Sequence, residues 1–279
     1  MLIKKFTGHS NCIVELHQEN SEIFVRKISS AVEYNRRLKK QFIKQKSFIS
    51  QKNGVRVPKI VNSGFRQGLF FFDMEYISGK LLSDVILKSN KNRLERLIDI
   101  FISNIPLRES VFSNQVVASK FNKKIESLKN ILPKDEIIVQ TIHELEKVDY
   151  SVVPETFCFG DLTTENIIVD EDSNLICIDL LDSFVNSWYI DAAKLLQDLR
   201  LQWAYRNRSL ASREVENLNT AYFLFKERIV KNIGEEDWHL INQILRLNIL
   251  RIFPYNRTEK ERLLCTNMLE KLLEPDLEI

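Results

Sequence analysis

The chain has 279 residues, 44% hydrophobic and 28% charged, enough for one large domain or two lobes and too apolar for wholesale disorder. A net charge of +2 argues against a dedicated nucleic-acid binder. Four scattered cysteines without C-x-x-C spacing argue against a disulfide framework or a zinc site.

No apolar run approaches the roughly 20 residues of a bilayer span. The start, "MLIKKFTGHS", lacks the apolar stretch and small-residue cleavage site of a signal peptide, so a soluble cytoplasmic protein is expected.

In chain order, "LIKKF" and "CIVELH" read as strands flanking the polar loop Thr7 to Asn11, and "QENS" turns the chain into a third extended run, "EIFVRKI". Helical period follows from Ser30 to about Gln51. "RVPKIVNSGF" and "GLFFFDMEYI" return to strands, with Gly64 and Gly68 near the turn between them. Several amphipathic helices are expected between 81 and 149, and helix again from Ile190 onward, broken near Gly234 and Pro254. Between them, "NIIVD" and "LICIDLL" read as a strand pair joined by the polar turn Glu171 to Asn174. The spacing predicts an α+β, two-lobed chain: an antiparallel-sheet lobe over 1–77 and a mostly helical lobe over 78–279, with a ligand cleft between them.

The strand pair carries the chemistry. Asn166 precedes its first strand and Asp179 follows its second, so both side chains converge at one end of the hairpin. Asp161, five residues before Asn166, faces the same point from a loop. Each alone reads equally well as a turn, a cap or a strand-end carboxylate. Together, without His or Cys, they form an oxygen-rich set suited to Mg²⁺, which keeps few protein ligands and completes its shell with phosphate oxygens. A nucleotide triphosphate is the expected partner.

"FGDLTTENIIVD" followed by "ICIDLLD" resembles the signature of the aminoglycoside phosphotransferase and choline kinase-like family, H-G-D-x-x-x-x-N and then I-D-x-x-D, which has the protein-kinase-like fold. The resemblance implies Asp161 as catalytic base, with Asn166 and Asp179 as metal ligands. Asp182 falls on the second aspartate of the pattern. Asp191, in "YIDAAKLLQDL", would brace the loop rather than react. The departure is Phe159, where the family has a largely structural histidine.

A kinase-like site also needs a strand lysine for the α and β phosphates. Lys27 in "IFVRKI" fits, with Val25 on the same strand face covering the adenine ring and Arg26 on the other face. Gly8 and Ser10 would offer donors to phosphate oxygens from the first hairpin loop. The family's glutamate partner for the lysine is missing, since Glu33 points away from the apolar face of its helix. Gln45, or second to it Gln41, is expected to take that place. Glu75 and Ile77 in "FFFDMEYISGKLL" would present backbone groups to the nucleobase, and Gly79 would open the second lobe.

Only eleven residues separate Asp179 from Asp191, with no A-P-E after them, so a small-molecule acceptor is expected rather than a protein. "LRLQWAYRNR" and "RLNILRIFPYNRTEK" combine Arg with aromatics, which suits an anionic or sugar-like acceptor as well as it suits a solvated helix face. The activity implied is Mg²⁺-dependent transfer of the γ-phosphoryl of ATP or GTP to a hydroxyl. The alternative is a kinase-like scaffold that binds nucleotide and transfers nothing.

Overall fold

The structure is a computed structural model and describes residues 1–6, 12–50, 54–105 and 114–274. Five antiparallel strands form the N-terminal sheet: β1 (Leu2–Phe6), β2 (Cys12–Glu19), β3 (Glu22–Ser29), β5 (Ile60–Arg66) and β6 (Leu69–Glu75), in the order β1-β2-β3-β6-β5. Two of its hairpins close through two-residue turns with both φ angles positive. Asn20 and Ser21 (φ 46° and 71°) join β2 to β3, and Gln67 and Gly68 (φ 52° and 79°) join β5 to β6. Such turns match the right-handed twist of the strands they connect.

Helix α1 (Asn35–Lys46) lies on this sheet and buries Leu38, Gln41 and Gln45. Leu38, Tyr34, Cys12, Phe70, Phe72 and Met74 form the small core between them.

The rest of the described chain is helical around a second, short sheet. Helices α2 (Leu82–Lys88), α3 (Lys91–Ser103), α4 (Gln115–Ile131) and α5 (Glu136–Glu146) precede the strand pair. Helices α6 (Trp188–Leu199), α7 (Ser212–Ile233), α8 (Glu235–Leu250) and α9 (Glu259–Leu273) follow it. Gly234, at φ 92°, separates α7 from α8, and Pro254 sits in the short turn before α9. The expected strand pair is present as β8 (Ile167–Val169) and β9 (Leu175–Cys177), paired antiparallel.

One expected strand is two. "RVPKIVNSGF" divides at Pro58, which has no N–H to offer a ladder. After Pro58 the chain enters β5 of the N-terminal sheet. Before it, β4 (Val55–Arg56) runs parallel to β9 in the second sheet, whose order is β4-β9-β8-β7 with β7 at Lys80–Leu81. Val55 accordingly packs in the large C-terminal core, although it precedes residue 77.

All four cysteines are buried and free. Among the described residues no helix is long and apolar enough to cross a membrane.

Candidate active site

The register Ile167↔Cys177 sets Asn166 opposite Ile178, whose N–H donates to the Asn166 carbonyl at 2.8 Å. Asp179 is therefore the first residue beyond the paired end of the hairpin, beside Asn166. Its backbone is left-handed, φ 56°, a conformation that non-glycine residues adopt at some cost and that concentrates at functional sites. The Asn166 amide donates to the Asp161 carbonyl at 2.8 Å and to Asp161 Oδ2 at 3.3 Å. Asn166 thus holds Asp161 directly, and Asp179 follows the residue paired with Asn166, so the hairpin end carries the three as their spacing led one to expect.

The loop that carries Asp161 is clasped by one face of α6. Asp191 accepts from the Phe159 N–H at 2.6 Å and from the Gly160 N–H at 2.8 Å. Lys194 Nζ lies 3.0 Å from Asp161 Oδ1. Asp198 accepts from the Thr164 N–H at 2.7 Å and from its hydroxyl at 2.8 Å. The Asp191 bracing is the one implied by the family pattern. Lys194 and Asp198 escaped the sequence reading, yet "DAAKLLQD" carried their signal. Three charges at i, i+3 and i+7 share a face of a helix that is otherwise buried and apolar, and charges there need partners.

Burial sets the electrostatics of these anchors. It pushes the Asp191 carboxyl up to about 7 against the pull of the two backbone N–H groups, and the Asp198 carboxyl up to about 6 against the Thr164 donors.

Across the cleft, Lys27 is buried on β3, its Nζ 2.5 Å from Asp179 Oδ1 and 3.1 Å from Gln41 Oε1. The amide beside Lys27 is therefore that of Gln41, not of Gln45. Gln45 Nε2 donates instead to the Pro58 carbonyl at 2.7 Å. The expectation took the buried stripe of the helix through Leu38, Phe42 and Ile49. Helix α1 ends at Lys46, Ile49 is 82% exposed, and the face that packs is rotated toward Gln41. Glu33 is exposed in the turn before α1, as expected.

Arg26 on the opposite strand face forms a two-point ion pair with Asp73, at 2.7 and 2.8 Å, which takes it out of the cleft. Val25 is half-buried against the small core. Glu75 donates its N–H to the Lys59 carbonyl at 3.0 Å and pairs its carboxylate with Arg56. Glu75 and Ile77 line an open cavity of about 330 Å³ with Arg56 and Asp170. Gly8 and Ser10 lie outside the described residues. Asp182 is exposed and pairs with Lys40 at 2.7 Å. A larger cavity, about 890 Å³ between α5 and α8, contains none of these residues.

Phe159 packs its ring against Phe48 and Phe157, at 5.4 and 5.3 Å between centroids. Its carbonyl accepts from the Leu181 N–H at 2.8 Å. The position that departs from the family pattern is a packing position. The backbone crossing beside it demands glycine: at Gly160, φ 89°, a Cβ would stand 2.1 Å from the Leu181 carbonyl oxygen.

The donor set fits a hard cation. Asn166 uses its amide N–H₂ on Asp161, and Asp179 uses only Oδ1 on Lys27. One neutral and one anionic oxygen, with Asp179 partly exposed, match an ion that takes few protein ligands and keeps its remaining positions for phosphate and water.

Neither a family model nor a curated protein sequence matches the chain. Its likeness lies in solved structures. A thermostable mutant of aminoglycoside phosphotransferase APH(4)-Ia in apo form is 10% identical at TM-score 0.66, covering 98% of this chain and 94% of that one. Aminoglycoside phosphotransferase APH(2″)-IIa, in ternary complex with streptomycin and ATP, is 15% identical at TM-score 0.57, covering 97% and 91%. Choline kinase LicA from Streptococcus pneumoniae is 15% identical at TM-score 0.56, covering 98% and 94%. The chain therefore has the two-lobed, protein-kinase-like fold. These phosphotransferase structures share it over nearly their whole length.

Proposed function

We propose that this protein is a small-molecule kinase, transferring the γ-phosphoryl of ATP or GTP to a hydroxyl in an Mg²⁺-dependent reaction. The observation that carries the reading is the convergence of Asp161, Asn166, Asp179 and Lys27 on one point between the lobes, on a fold shared with phosphotransferases. The lobe over 1–77 would take the nucleotide and the lobe over 78–279 the acceptor, with no nucleic acid involved. The composition and the free cysteines suit a cytoplasmic enzyme.

Lys27 orients the α and β phosphates, and Asn166 and Asp179 are the residues that would hold Mg²⁺. The ion supplies charge neutralisation and geometry to the phosphates when bound. Val25 covers the nucleobase, and Glu75 and Ile77 meet its edge; Gly8 and Ser10, outside the described residues, are the proposed donors to the phosphates. Asp161 orients the acceptor hydroxyl and receives its proton. Positioning and charge stabilisation supply most of the rate in such a site.

The acceptor reading narrows to a sugar-like or anionic molecule. Most arginines of the two basic, aromatic stretches are engaged within the fold: Arg200 with Asn242, Arg208 with Asp84, Arg246 with Glu144. Arg251 donates to Asn248 at 3.0 Å and lies over the Phe184 ring at 5.1 Å, and it is partly buried near Asp161. Burial pulls its pKa down while the nearby charge of Asp161 opposes that pull. A desolvated guanidinium near the proposed base suits an acceptor bearing phosphate or carboxylate.

The test is phosphoryl transfer from ATP and from GTP to sugars, amino alcohols and sugar phosphates, run with Mg²⁺. Asp161→Asn is expected to keep nucleotide binding and lose turnover by about 10²–10⁴-fold. Asp179→Ala is expected to lose Mg²⁺-dependent nucleotide binding as well. Full turnover in Asp161→Asn would overturn the assignment. Nucleotide binding without transfer to any acceptor would mark a scaffold.

A further inference from the structure

Three charged residues on α6 hold the catalytic loop, but only two act as braces. Asp191 and Asp198 accept backbone N–H groups, fixing where the loop runs. Lys194 reaches past the backbone to the reactive carboxylate itself, 3.0 Å from Asp161 Oδ1, and its side chain is 16% exposed. Positioning of Asp161 does not require it, because Asn166 already holds Oδ2 and the Thr163 N–H donates to the Asp161 carbonyl at 2.8 Å. The loop from Asp161 to Asn166 contributes no cation of its own, only Leu162, Thr163, Thr164 and Glu165 between its ends. Lys27 is committed at the far side, between Gln41 and Asp179.

We propose that Lys194 binds the terminal phosphoryl group of the nucleotide and stays with it through transfer, an inference that rests on the kinase reading above. A base must lie about 2.6–3.2 Å from the hydroxyl it serves, and that hydroxyl about 3–3.5 Å from the phosphorus it attacks. A flexible ammonium on Asp161 therefore reaches the equatorial oxygens of that phosphoryl, and its three donors can bridge carboxylate and phosphate together. In the step itself, the acceptor oxygen forms a bond to the γ-phosphorus, the bond from that phosphorus to the β–γ bridging oxygen breaks, and the hydroxyl proton passes to Asp161. The nucleoside diphosphate leaves with the bond's electron pair. Lys194 exchanges no proton and carries the countercharge.

The experiment needs no acceptor. A non-hydrolysable triphosphate analogue and the corresponding diphosphate, adenine and guanine forms of each, are titrated with Mg²⁺ into wild type, Lys194→Met and Lys194→Arg. Lys194→Gln serves as a second neutral variant should Lys194→Met not fold. The expected result is a loss of about tenfold or more in triphosphate affinity for the neutral variants, as for a hydrogen bond to a charged group. Diphosphate affinity stays within about twofold, and Lys194→Arg retains most of the preference for triphosphate. Equal losses for both nucleotides, or none, would overturn the proposal and leave Lys194 as a loop tether. Failure of wild type to bind either nucleotide would instead remove the kinase reading, and this inference with it.

Discussion

Lys27 is one of the residues that link the two lobes. Its ammonium joins Gln41 of α1 to Asp179 of the hairpin end, so strand, helix and loop share one charge. A neutral amide holds that lysine more weakly than a carboxylate, because charge-assisted hydrogen bonds are roughly twice as strong as neutral ones.

The carboxylate of Asp198 gives a residue-scale prediction. Burial raises its pKa from 3.8 to about 6, so the folded state binds a proton more tightly than the unfolded chain. Stability from this group is fully present below about pH 4 and is lost as pH rises toward 6, beyond which the contribution is level. Asp198→Asn removes that titration. The stability of wild type minus that of the variant is expected to fall between pH 4 and 6 in urea unfolding series. A difference that stays flat or rises over that window would refute the direction.

At the scale of elements, the loop that carries Asp161 is built from backbone that crosses backbone. Gly160 stands against Leu181 with a positive φ and no space for a Cβ, whereas Gly234, joining α7 to α8, has a similar φ and nothing within 4 Å. The two glycines separate conformational strain from collision. Gly234→Ala is expected to cost about 1–3 kcal/mol, the price of a left-handed non-glycine residue. Gly160→Ala adds the collision with the Leu181 carbonyl, so it is expected to cost more than Gly234→Ala and to abolish turnover by displacing Asp161. Chemical denaturation of both variants, with the transfer assay on each, checks the ordering. Helix α6 is the counterpart of this loop: its buried Asp191 and Asp198 satisfy loop donors that no sheet reaches.

For the whole molecule, the two cores are unequal. The N-terminal one is a handful of side chains between α1 and the sheet, while the C-terminal one runs from Val55 to Leu272. Opening is therefore expected first in the N-terminal lobe, whose strands should lose amide-exchange protection before the C-terminal helices. A nucleotide bridging the lobes at about 100 times its dissociation constant adds roughly 2.7 kcal/mol, a shift on the order of 5–10 °C for a chain of this size. That shift is expected only with Mg²⁺, and with it a gain of exchange protection in β3 and α1. A shift of equal size without Mg²⁺ would count against Asn166 and Asp179 as metal ligands.

What the sequence determined by itself was local. The strand pair around Asn166 and Asp179, the polar turn between its strands, the glycine breaks and the order of lobes all follow from period, turn chemistry and spacing, which act over a few residues. Lys27 and Arg26 separated correctly for the same reason, since neighbouring residues of a strand face opposite ways. The partner of Lys27 was decided by tertiary structure, because where α1 ends and how it rolls on the sheet depend on Phe70, Phe72 and Met74, more than twenty residues away. Val55 joined the other lobe for a similar reason: Pro58 breaks the ladder, and Val55 and Arg56 before it pair in parallel with β9, about 120 residues further on. Lys194 reached Asp161 through a helix docked across the loop, a contact between residues 33 apart that no local pattern contains. Spacing tells which side chains share a face, and only packing tells what that face meets.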